Sequence, residues 1–131
     1  MIKKNVLLVD DDQIFNLLNK KTLQHMGIAN EIHIAKNGKE ALDLINDYYR
    51  GARIMPEIIL LDLNMPVMDG FSFIEAFHKL NVPNKDNTLI IIVSSSQNEA
   101  DIKRAEELGV HNYLSKPLSE EDLKAVLNLY N

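Results

Sequence analysis

The chain has no cysteine and no tryptophan. Without cysteine there is no disulfide, no thiolate nucleophile and no cysteine-held metal centre. It also lacks a long apolar run. A membrane-spanning helix needs about 18 consecutive apolar residues, and no run approaches that. The opening Met1-Ile2-Lys3-Lys4-Asn5 leads into only a handful of apolar residues before three aspartates, which is not the layout of a secretory signal. An excess of positive charge is missing too: 14 Lys and Arg stand against 19 Asp and Glu, a formal charge of -5. That argues against nucleic-acid binding, which usually shows a basic stripe. The four histidines, His25, His33, His78 and His111, lie far apart and form no pair at the spacing of helical zinc ligands. There is no low-complexity segment, internal repeat or linker.

What remains is 131 residues of ordinary globular composition, 46% hydrophobic and 25% charged, enough for one domain with one core. Short apolar runs alternate with longer amphipathic ones. Val6-Leu7-Leu8-Val9, Ile58-Ile59-Leu60-Leu61 and Leu89-Ile90-Ile91-Ile92-Val93 are apolar on both faces, as strands of a covered parallel sheet are. Ile32 to Ala35 and Asn112 to Leu114 are weaker strand candidates. Between them run helical patterns. Residues 13–26 carry Ile14, Leu17 and Leu18 at helical spacing, a stripe expected to face the core. Asn37 to Glu40 reads as a capping box before Ala41, Leu42, Ile45, Tyr48 and Tyr49. Phe71, Ile74 and Phe77 mark a helix after the Asp69-Gly70 turn. Ser96 to Glu99 reads as a second box, before Ile102, Ala105 and Leu108, with Gly109 as the stop signal. Ser119 to Asp122 is a third, with Leu118 and Leu123 as a hydrophobic staple, opening a helix striped by Leu123, Val126, Leu127 and Tyr130. Five strand–helix units predict a parallel sheet with right-handed crossovers, whose ligands bind beyond the carboxyl ends of the strands.

The residues at those ends carry chemistry. Asp10, Asp11 and Asp12 follow strand one, Asp62 follows strand three, Ser94 follows strand four and Lys116 comes just after strand five. A cluster of carboxylates repels itself unless a cation intervenes. A small hard cation such as magnesium takes one or two carboxylates and leaves room for phosphate oxygens. A hydroxyl and an ammonium then fit around a phosphoryl group, with Asp62 as nucleophile.

These segments, Val6-Leu7-Leu8-Val9-Asp10-Asp11, Leu61-Asp62-Leu63-Asn64-Met65-Pro66 with Met68-Asp69-Gly70, Val93-Ser94 and Tyr113-Leu114-Ser115-Lys116-Pro117, resemble the response-regulator receiver domain of two-component signalling over essentially the whole chain. The resemblance implies an α/β, flavodoxin-like (βα)5 fold with a five-stranded parallel sheet in the order 2-1-3-4-5. It implies one receiver domain over residues 1–131 with no output domain. Asp10 and Asp11 would bind magnesium, with manganese as a substitute, and Asp62 would be both phospho-acceptor and metal ligand. Asn64 would add a backbone carbonyl. Ser94 and Lys116 would hold the phosphoryl oxygens, and the Lys116-Pro117 bond is often cis in the family. Ser94 and Tyr113 would switch together. The implied partners are a histidine kinase or histidine phosphotransfer protein and a downstream protein target, in the cytoplasm, with the chain a monomer or weak homodimer that contacts neither nucleic acid nor membrane. Three departures stand out. Ser94 replaces the commoner threonine, Ser95 a frequent alanine, and residues 81–87 are longer and more polar than usual, either a contact surface or a tolerated extension.

Other readings compete. Asp12 is expected to cap the first helix, Ser96 to cap a later one, and Tyr113 can be read as a half-buried strand tyrosine without a switching role. Asp10 and Asp12 also fit the Asp-x-Asp motif of haloacid-dehalogenase-like phosphatases, with Asp10 the nucleophile and Asp12 the acid/base, but no acidic pair follows Lys116 at another strand end. A flavin-binding module would need a phosphate loop where three acids stand. A receiver that signals without phosphate would not need the complete set of acids, hydroxyl and lysine.

Overall fold

The computed structural model describes residues 3–50, 55–82 and 85–128, the side chains of residues 48–50 excepted. The expected places of Tyr48 and Tyr49 on the second helix and of Tyr130 on the last lie outside the described residues. In chain order the elements are β1 (Lys4–Val9), α1 (Gln13–Met26), β2 (Ala29–Ala35), α2 (Gly38–Arg50), β3 (Ile58–Leu61), α3 (Gly70–Lys79), a 3-10 turn (Lys85–Asn87), β4 (Leu89–Ser94), α4 (Glu99–Glu107), β5 (Asn112–Ser115) and α5 (Glu120–Asn128). The five strands pair in parallel in the order β2-β1-β3-β4-β5.

Because side chains alternate along a strand, each central strand feeds two cores. Leu7, Val9, Ile59, Leu61, Ile90 and Ile92 pack with Ala41 and Ile45 of α2, Phe71, Phe73, Ile74 and Phe77 of α3, and Ala105 of α4. Val6, Leu8, Ile58, Leu60, Ile91 and Val93 point the other way, onto Leu23 of α1 and Leu123, Val126 and Leu127 of α5. A sheet buried on both faces is why these strands read as unbroken apolar runs.

The helix ends follow local chemistry, with corrections. Asp12 caps α1: its Oδ1 accepts from the amides of Ile14 (2.8 Å) and Phe15 (3.3 Å). The α2 box is displaced by one residue: Asn37 accepts from Glu40 N–H, but the Glu40 carboxylate reaches back to Lys36 N–H. The Ser96 box does not form. Asn98 is the cap, accepting from Ala100 N–H at 2.8 Å, so α4 starts two residues later than the Ser-x-x-Glu pattern implies. At its far end Gly109 (φ +86°) takes the left-handed conformation, with Gly109 N–H on Glu106 O and Val110 N–H on Ala105 O, the paired bonds of a Schellman close. Ser119 accepts from Asp122 N–H, as its box predicts.

The larger correction concerns α1. Ile14, Leu17 and Leu18 do not enter the core; they are 69%, 53% and 46% exposed. The buried positions of this helix are Asn16, Asn19 and Leu23. In the 81–87 stretch, Lys85 Nζ donates to the carbonyls of His78 (2.6 Å) and Leu80 (2.9 Å), closing the end of α3. Among the described residues no helix is long and apolar enough to cross a membrane.

Candidate functional site at the carboxyl end of the sheet

The sheet's hydrogen-bond ladder runs one residue past the strands and so fixes the rim. Asp10 N–H donates to Ala35 O, Asp62 N–H to Val9 O at 2.9 Å and Lys116 N–H to Ser94 O at 3.0 Å. Backbone pairing therefore sets where these three side chains start. Asp10, Asp62 and Ser94 are buried, while Asp11 is exposed. Asp10, Asp11 and Asp62 each offer a carboxylate oxygen within 4.8 Å of the others. Lys116 Nζ lies 2.8 Å from Asp10 Oδ2 and 3.5 Å from Asp62 Oδ2, its side chain only 8% exposed. Asn64, two residues beyond Asp62, is exposed on the same loop. The Lys116-Pro117 bond is cis.

Charge this dense and this dry shifts ionisation. Burial, and then the neighbouring Asp10 charge, push the Asp62 carboxyl from its usual 3.8 up to about 6; Lys116 and the Leu63 amide pull the other way. Burial alone would lower the ammonium of Lys116, but the hydrogen bond to Asp10 and the charges of Asp62 and Asp10 leave it above its usual value. The donor set, all carboxylate oxygen at one end of the sheet, fits a small hard divalent cation.

Asp10 has little freedom of its own. Its Oδ1 accepts from Asp12 N–H at 2.9 Å, its Oδ2 faces Lys116, and its backbone carbonyl accepts from Asn16 Nδ2 at 2.8 Å. Asp12, turned back onto α1, is not placed as an acid/base beside it. The phosphatase reading, with Asp10 attacking and Asp12 moving protons, therefore finds no support in the geometry.

Ser94 connects to the rest of the rim through Ser96. Ser94 Oγ accepts from Ser96 N–H (3.1 Å), Ser96 Oγ donates to Asp101 Oδ2 (3.1 Å), and Tyr113, half-buried, donates its hydroxyl to Ser96 O at 2.8 Å. Sequence reading took Ser96 for a helix cap, at a position where, by the resemblance, the lifetime of a phosphoryl group is tuned, and it missed three other groups. Asn16 grips the Asp10 backbone; its one legible signal was an amide on the helix side opposite the apolar stripe. Gly70 backs the Asp62 loop, since a Cβ there would lie 2.6 Å from Asp62 O; its signal was no more than an Asp-Gly turn. Phe15 presents its ring to Lys116, with Nζ 4.4 Å from the centroid; nothing in the sequence marked it.

The same fold is found in known proteins. The chain is 33% identical over 120 residues to a probable methanogenesis regulatory protein, FilR2, of Methanothrix harundinacea, covering 91% of this chain and 76% of that one. It is 30% identical over 125 residues to a probable chemotaxis protein CheY of Rhizobium etli, covering 95% and 90%. A crystal structure of a two component response regulator from Cytophaga hutchinsonii superposes with a TM-score of 0.88 at 33% identity, covering 98% and 97%. Relatives also include hybrid signal transduction histidine kinases. The family pattern of the response regulator receiver domain matches residues 6–128. Fold and relatives agree, and the chain belongs to the response regulator receiver domain family, the signalling domain of two-component systems.

Proposed function

We propose that the domain takes a phosphoryl group from a phosphohistidine partner onto Asp62 and passes the event to a protein target through the surface of α4, β5 and α5. One observation carries this reading: a buried carboxylate, Asp62, shares a single ammonium with Asp10 at the point where the acid cluster meets.

In the transfer, an Asp62 carboxylate oxygen attacks phosphorus, the phosphorus–nitrogen bond to the donor histidine breaks, and the leaving imidazole takes up a proton. An acyl phosphate remains. Asp10, Asp11 and Asp62, with the Asn64 carbonyl, would hold magnesium or manganese, which when bound neutralises charge on the phosphoryl oxygens. Lys116 supplies a second positive charge and the Ser94 hydroxyl a hydrogen bond. Water attack on phosphorus would later release inorganic phosphate and regenerate Asp62. The new charge, about -1.5 to -2, draws Ser94 toward the phosphoryl group, away from Ser96, and Tyr113 follows through its bond to the Ser96 carbonyl. Such a change biases a two-state equilibrium at the α4-β5-α5 face.

The exposed Ile14, Leu17 and Leu18 of α1, with Ile34 beside them, supply an apolar face close to the rim. It suits a helical partner, a histidine kinase or histidine phosphotransfer protein, presenting phosphohistidine to Asp62. The setting is then the cytoplasm.

Acetyl phosphate with magnesium should label the wild type on Asp62, and Asp62→Asn should abolish the label, read by phosphate-affinity gel and mass spectrometry. Label persisting in that variant, or mapping to Asp10, would overturn the reading.

A further inference from the structure

We infer that Phe15 is a positioning residue for Lys116, an uncharged seat that keeps the ammonium at the rim while it changes anionic partners. The inference rests on the phospho-acceptor reading above and adds to it a residue outside the rim's polar set.

In this structure Lys116 spends its shortest contact on Asp10, at 2.8 Å, and stands farther from Asp62, at 3.5 Å. To serve a phosphoryl group on Asp62, the ammonium has to loosen its hold on Asp10. An ammonium whose side chain is 8% exposed does not make that move through bulk water, and the carboxylates it touches, Asp10 and Asp62, are the two sites it moves between. The Phe15 ring, with Nζ 4.4 Å from its centroid, offers attraction that brings no negative charge and no oxygen to compete for the lysine's new partner. Its placement is built in. Asp12 caps α1 by accepting from Phe15 N–H itself, and Asp12 N–H is held by Asp10 Oδ1. The chain from Asp10 through Asp12 and Phe15 to Lys116 thus closes on Asp10.

The test compares Phe15→Leu, Phe15→Tyr and Phe15→Trp. With acetyl phosphate and magnesium, Phe15→Leu should label Asp62 roughly 3- to 30-fold more slowly than wild type, the range expected from losing a partly desolvated cation–ring contact. Phe15→Tyr and Phe15→Trp should stay within about 3-fold of wild type, because they keep the aromatic face. In a Lys116→Ala background, Phe15→Leu should cost nothing further. By NMR, the Lys116 side-chain methylene protons should show ring-current shifts in wild type that vanish in Phe15→Leu, a readout independent of labelling. Equal rates for Phe15→Leu and wild type, an undiminished penalty in the Lys116→Ala background, or failure of both aromatic variants to restore the rate would overturn the inference. Wild type that takes no label on Asp62 would instead overturn the acceptor reading, leaving the NMR comparison to judge the contact.

Discussion

Helices α1 and α3 leave the sheet at the same edge and use their apolar residues in opposite ways. Helix α3 turns Phe71, Phe73, Ile74 and Phe77 into the core. Helix α1 turns Asn16, Asn19 and Leu23 inward and leaves Ile14, Leu17 and Leu18 in solvent. Burying a large apolar side chain contributes about 1.5–3 kcal/mol, so α1 forgoes several such contributions. It even leaves Asn16 Oδ1 buried without a hydrogen-bond partner among the described protein atoms. In return Asn16 Nδ2 holds the Asp10 carbonyl. Helix α3 is spent on stability and α1 on the rim and on whatever meets it.

Mutations can break or sharpen that contrast. The largest effect should come from Phe73→Ala, expected to cost about 3–5 kcal/mol, against a change within about 0.5 kcal/mol for Leu17→Ala. Chemical denaturation measures both, and equal losses would erase the distinction between the helices.

Next is the rim's own cost. A carboxyl whose folded pKa lies above its unfolded value contributes stability that is full below the unfolded value and is lost as pH rises through the folded one. For Asp62, raised to about 6, the window runs from about pH 4 to about pH 6. Above it the buried charge costs roughly 3 kcal/mol. In cation-free buffer Asp62→Asn should therefore be the more stable protein at pH 7 by up to that amount, the gain fading toward pH 4. A stability difference that does not change between pH 4 and 7 would show that Asp62 titrates as an ordinary surface carboxyl.

A third test lies where core helix and rim touch. Gly70→Ala forces a methyl against Asp62 O and Leu63 Cα, 2.6 and 2.9 Å from an ideal Cβ. It should cost about 1–3 kcal/mol, as overpacking does, and slow labelling as well, because the obstacle is the backbone of Asp62, the proposed acceptor. A loss of stability with an unchanged labelling rate would mean that the strain relaxes into α3 rather than the rim. A modest gain is expected at Val67, a β-branched residue at φ +68° that is 79% exposed. Val67→Asn should gain about 1 kcal/mol by relieving that conformation, read as a shift in denaturation midpoint.

Much of this was written in the sequence because strands covered on both faces leave no ambiguity. Val6 to Val9, Ile58 to Leu61 and Leu89 to Val93 could be placed from apolarity alone, and with them the aspartates and the serine at their ends. The direction of α1 was not legible. Periodicity shows that a helix has an apolar side but assumes that the side is buried, an assumption that fails where a neighbouring backbone, here that of Asp10, needs an amide. The Ser96 box failed for a similar reason: Ser-x-x-Glu is a local match, and Asn98 caps the helix two residues on because Ser96 is held by Ser94, Asp101 and Tyr113. Contacts such as Phe15 with Lys116 join residues a hundred positions apart and leave no trace in local spacing.

The three-sided attachment of Ser96 sets how the molecule can answer a change at its rim. If the serine at position 94 turns its hydroxyl elsewhere, the next-but-one amide loses its acceptor. That same residue anchors a helix by its side chain and an aromatic ring by its carbonyl. A single residue therefore ties three elements together. If they reset together, the response to a small local event should come in one step rather than by degrees.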